Sequence, residues 1–161
     1  MRSGVLAAAL LFTALGLVLT LTPRGGWPTS AIALLAGIGA AGVLPYPRNW
    51  LEGAFLGCWI SVSATGAMVH LGPRLAPLAT AAISLNAGFW ATTASAASGS
   101  KLEVLGALPC VLIILPAAWL NARFGPLPIK VVSSWVIVIA VLAATLQMLP
   151  VTPGYLPDHL E

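Results

Sequence analysis

The 161-residue chain is 59% hydrophobic and 7% charged, with a formal net charge of +3 and two cysteines. An ordinary soluble domain carries about 25% charged residues, so seven Lys and Arg with four Asp and Glu are too few to cover a water-facing surface. The cations are spread about one per turn, which excludes a polybasic nucleic-acid surface, and two cysteines within apolar segments form neither a disulfide framework nor a zinc site.

Apolar runs between breakers predict six helices, over Gly4 to Leu21, Trp27 to Leu44, Trp50 to Leu71, Leu75 to Ser98, Val104 to Leu120 and Ile129 to Leu149. The expected fold is an all-α integral membrane protein, a compact bundle of about six transmembrane helices over residues 1–149 with a short extramembrane tail at 150–161. The first run is too long for a signal-peptide core and lacks a small-x-small cleavage site before Pro23, so it is expected to be a retained helix. The second is the doubtful crossing. Its continuous part, Thr29 to Leu44, reaches only ~24 Å at 1.5 Å per residue and carries Gly37, Gly39 and Gly42, so a re-entrant path is an alternative.

The third segment opens with Glu52 and contains Cys58, Ser61 and Thr65, with His70 at its end. An intramembrane carboxylate is a candidate cation or proton site, and the same reading applies to Glu103 at the start of the fifth segment. The competing account places both carboxylates in a first helical turn at headgroup level, complementing the helix dipole near Arg48 and Lys101. Cys58 and Cys110 fall at comparable depth, where soft-metal binding competes with simple packing. At His70, protonation chemistry competes with interfacial anchoring.

The fourth segment is polar without charge. Thr80, Ser84, Ala87, Ala91, Ser95 and Ser98 form one small-residue stripe at helical spacing, expected to pack closely on the third segment. The alternative is that Asn86, Thr93 and neighbouring hydroxyls, with Glu52 and Glu103, line a narrow path for a small solute or ion. Pro109 and Pro116 share a face of the fifth segment and should bend it, as a gate or as a packing feature. Trp27, Trp50 and Trp119 are placed as interfacial anchors, while Trp59, Trp90 and Trp135 lie deeper as fillers or stacking surfaces.

The turns Pro23-Arg24-Gly25-Gly26-Trp27-Pro28, Pro73-Arg74-Leu75-Ala76-Pro77 and Arg123-Phe124-Gly125-Pro126 recur about 50 residues apart, which suggests three helix-hairpin repeats. Recurrent turn chemistry alone explains the same echo. With six crossings, Arg2, Arg48 and Lys101 share one side with all four acids, while Arg24, Arg74, Arg123 and Lys130 share the other. This leans toward termini outside.

No nucleophile elbow, phosphate loop or metal-ligand helix motif is present, so an enzyme is not expected, nor a metal or cofactor. Two functional expectations remain: a transporter or channel for a small solute or ion (or a membrane subunit of one), and a non-catalytic accessory or assembly subunit of a larger membrane complex. Its expected partners are the lipid bilayer and further copies or other membrane subunits, and its expected location is the bacterial inner membrane.

Overall fold

A computed structural model describes residues 4–46, 50–71, 75–99 and 102–149. Among these the chain is all-helical, in six helices: α1 Gly4–Leu19, α2 Trp27–Val43, α3 Leu51–Met68, α4 Pro77–Ala97, α5 Glu103–Phe124 and α6 Leu127–Met148. The tail at 150–161 lies outside the described residues, as do Arg2, Arg48, Arg74 and Lys101. Three helical spans are long and apolar enough to cross a membrane: Arg24–Val43, Glu103–Phe124 and Leu127–Met148.

Proline sits at the first or second position of α2, α4 and α6, where its missing N–H has no intrahelical acceptor to lose. After α5 the chain reverses at Gly125, whose φ of 76° suits a residue without Cβ. The doubtful second segment is an unbroken helix of 17 residues, lengthened at its start by a 3₁₀ turn over Arg24–Gly26. The predicted bend in α5 takes the form of a 3₁₀ stretch, Leu108–Ile113, beginning one residue before Pro109. Pro116 has no N–H to return to Leu112 four residues earlier, and the Ile114 N–H tightens onto the Val111 carbonyl instead.

The bundle is built around α1. From Ala7 to Leu19 no residue of α1 is exposed, and Leu11, Phe12, Leu15 and Val18 are wholly buried on several sides of the helix. Its one polar side chain, Thr13, donates to the Ala9 carbonyl at 2.8 Å. Helices α3, α4, α5 and α6 all touch it. Gly4 of α1 abuts Ala94, Ser95 and Ser98 at the far end of α4, so these two run antiparallel. Gly16 receives the 3₁₀ stretch of α5, where an added Cβ would stand 2.9 Å from the Val111 carbonyl oxygen.

The closest helix pair is α2 with α4. A Cβ at Gly37 would be driven into the Leu85 carbonyl oxygen, and one at Gly88 into the Leu34 carbonyl oxygen. The two glycines therefore notch each other's backbone, and α2 and α4 run parallel, from Ser30 beside Thr80 to Ala41 near Thr93. This corrects the expected pairing of the fourth segment with the third as its closest neighbour. It also departs from a set of like hairpins: α3 and α4 pack as neighbours, while α2 leaves α1 after the Trp27 indole N–H bonds the Leu19 carbonyl at 3.2 Å, and lies on α4.

Candidate functional site

The polar face of α4 is buried, as the stripe requires: Thr80, Ser84, Ala87, Ala91 and Ser95 are each 0% exposed. Its hydroxyls, however, turn back on their own helix. Ser84 donates to the Thr80 carbonyl, Thr92 to Gly88, Thr93 to Phe89 and Ser95 to Ala91, all at 2.8 to 2.9 Å. A hydroxyl whose proton is committed to a carbonyl one turn earlier is a satisfied group and presents little to a permeating solute.

Four contacts do cross between helices. Asn86 Nδ2 donates to Ser61 Oγ of α3 at 3.0 Å, and Ser133 Oγ of α6 donates to the Gly66 carbonyl of α3 at 2.7 Å. Ser30 of α2 meets Thr80 at 3.4 Å. Beyond the end of α2, the Tyr46 hydroxyl contacts the Ala41 carbonyl at 2.7 Å and Thr93 Oγ1 at 3.1 Å. In an apolar surround such bonds fix which helix face meets which, with modest energies of about 0.6 kcal/mol each and less than about 2.

The four path candidates thus fall into separate contacts. Asn86 is half-buried against α3, and Thr93 is buried beside Tyr46. Glu103 accepts from Ser98 Oγ at 2.8 Å across the α4–α5 turn, while Glu52 is exposed in the first turn of α3. Both carboxylates lie at the N-terminal ends of their helices, where the exposed backbone N–H groups favour negative charge. Pro109 and Pro116 are both exposed on the outer side of α5.

Cys58 is fully buried in the core and Cys110 half-buried against it, both as free thiols. Among the described residues no three His, Cys, Asp or Glu side chains approach closely enough to hold a metal ion. Trp59 fills the core and Trp90 lies across Gly57, where its ring occupies the space a Cβ would need. Trp135 is not deep: it is 70% exposed on the outer side of α6. Among the described residues, Trp59 Nε1 is the buried side-chain donor left without an acceptor. An outward groove of about 460 Å³ lies between α3 and α6, lined by Trp59, Ile60, Ala64, Val141, Ala144 and Met148.

The pairing of helix ends separates charge. The end holding Gly4, Tyr46, Glu52, Ser98 and Glu103 carries the described carboxylates. The other end holds Arg24, His70, Arg123 and Lys130 and has no described acid. Sequence reasoning missed two elements of this arrangement. One was the Gly37–Gly88 crossing, since Gly37 reads as a helix-weakening residue until its partner is known. The other was Tyr46, a lone tyrosine in a Pro-rich turn. No family model, curated protein or solved structure matches the chain.

Proposed function

We propose that the chain is a multi-pass membrane protein with six crossings that works as a non-catalytic subunit of a larger membrane assembly. The crossing number is supported by pairing. α6 has 22 residues and so extends ~33 Å, and α3 lies antiparallel along it, from the Met148 end of their shared groove to the contact of Ser134 with His70. α1 and α4 traverse the same depth beside one another.

The observation that carries the subunit reading is the axial position of α1. An apolar helix fills the place where a pore through a single copy would run, and the hydroxyls of α4 are satisfied by their own backbone. Function then resides on outer faces, which present Ile32, Leu35, Trp119, Trp135, Val138 and Leu142 to lipid or to other subunits.

A second reading is favoured by α5. Its 3₁₀ stretch and exposed Pro109 and Pro116 make a deformable element on the outside of the bundle, suited to a transport subunit whose path for a small solute or ion runs between chains. Extraction of the native protein in mild detergent, with sizing and mass spectrometry of what stays bound, separates the two. Stoichiometric foreign subunits support the assembly role. A homo-oligomer free of other chains supports transport and leads to flux assays on Asn86→Leu and Glu103→Gln. A monomer without partners overturns both.

A further inference from the structure

At the acid-free end of the bundle, α3 and α6 bring an imidazole, a hydroxyl and an ammonium together. His70 Nε2 stands 3.5 Å from Ser134 Oγ, and Ser134 Oγ bonds the carbonyl of Lys130 one turn earlier on the same helix face at 2.9 Å. Lys130 is half-buried while Val131 and Val132 beside it are exposed, so the lysine stem rests on protein and its charged tip is held near the seam.

Nothing in the chain neutralises this charge locally. Glu52 and Glu103 open α3 and α5 at the opposite end, and Asp158 and Glu161 follow α6, which also finishes there. Arg24 and Arg123 share the end with Lys130, and sequence places Arg74 in the α3–α4 connection. The surroundings of the seam are apolar: Leu127 and Trp135 are each 70% exposed and Val138 is 64% exposed. A tryptophan one residue from Ser134 marks headgroup depth, with hydrocarbon-facing residues on the next turn.

We infer that His70, Ser134 and Lys130 form a site for the phosphate of an anionic phospholipid, its headgroup on the three polar side chains and its acyl chains against the α6 face below. The chemistry asks for an anion, which Lys130 meets as a point charge and His70 and Ser134 meet as hydrogen-bond donors. The apolar face selects an anion that carries its own hydrocarbon. The site sets the end with Arg24, Arg123 and Lys130 against an anionic leaflet, where each such cation contributes to binding.

The inference rests on the membrane-embedded reading and not on the subunit or transport role. Protein that needs detergent to leave the membrane satisfies that reading independently of any lipid result, and release by alkaline carbonate alone overturns it. The test is native mass spectrometry of the full chain after equilibration with equimolar phosphatidylglycerol and phosphatidylcholine. The intact protein retains phosphatidylglycerol preferentially. Lys130→Gln lowers that retention about fivefold, while Lys130→Arg keeps it and Arg24→Gln, at the same end but off the seam, leaves it unchanged. His70→Ala supplies a second loss should Lys130→Gln fail to assemble. Equal retention of the two lipids, an Arg24→Gln effect as large as Lys130→Gln, or displacement of the lipid by sn-glycerol 3-phosphate, which would mark a soluble phosphate as the ligand, each overturns the proposal.

Discussion

Replacing Gly88 with alanine tests the α2–α4 crossing directly. The new Cβ would stand 3.0 Å from the Ile38 nitrogen and 3.2 Å from the Leu34 carbonyl carbon, and closer still to the Leu34 oxygen. These are backbone atoms, so no side-chain rotation relieves the clash. Carbon-to-oxygen contacts settle at about 3.3 to 3.6 Å, so the two helices must part by roughly 1 Å at this point. A gap of that size removes a quarter to half of each dispersion contact of roughly 0.1–0.2 kcal/mol. A crossing with on the order of 30 close atom pairs then loses about 1–2 kcal/mol. Between helices in lipid, dispersion is the main attraction, so little else compensates. Reversible unfolding in mixed micelles, followed by tryptophan fluorescence, should show Gly88→Ala and Gly37→Ala each destabilised by about 1–2 kcal/mol. The double variant should lose clearly less than the sum, because one separation accommodates both methyls. Gly39→Ala, with open space around its Cβ, serves as the control and should be neutral or slightly stabilising. A Gly88→Ala protein as stable as its parent, or strictly additive losses in the double variant, would refute the reciprocal notch.

Asn86→Leu and Ser61→Ala should each cost about 1 kcal/mol or less, with a double-mutant coupling near ~0.6 kcal/mol in the same assay; no coupling would mean that their 3.0 Å contact contributes nothing. Gly16→Leu should be more damaging than Gly88→Ala, because it meets Ile113 and the Val111 carbonyl inside the core, and loss of the folded species on sizing is the expected readout. Trp59→Phe should change stability by no more than ~1 kcal/mol, since the lost ring volume is offset by removing a buried indole N–H that has no acceptor. Pro116→Ala restores a donor for the Leu112 carbonyl and should slow hydrogen exchange across 112–117; unchanged exchange would show that the α1 surface, and not proline, imposes the 3₁₀ stretch.

The elements were legible because each crossing segment is bounded by proline, glycine or a charge, and a bilayer requires such segments to be helical. The observed helices match the predicted segments to within a few residues, and α5 continues through Leu120 to Phe124. Neighbours were much less legible. In lipid the outward and inward faces of a helix are both apolar, so hydrophobic periodicity, which locates the core of a soluble protein, is nearly silent here. Small residues signal that a helix is approached closely but not by which partner, which is why the stripe on α4 was assigned to α3 when Gly88 belonged to Gly37. The path candidates failed to converge for a related reason. Composition counts hydroxyls, but only geometry shows that Thr93 and Ser95 spend their protons on Phe89 and Ala91.

The enclosed position of α1 bears on how the protein is made. The helix synthesised first ends in the middle, so it must wait in lipid for α3, α4, α5 and α6, its eventual enclosure, to arrive. Its sequence suits that wait: it is apolar on every side, and Thr13 is already satisfied within the helix. Assembly is thus a wrapping around a seed, with α2 held aside by the Trp27–Leu19 bond until the grooved surface of α4 is inserted. Chains interrupted before α4 would leave both early helices stable as single spans yet unable to recognise one another, a state for quality-control proteases to clear.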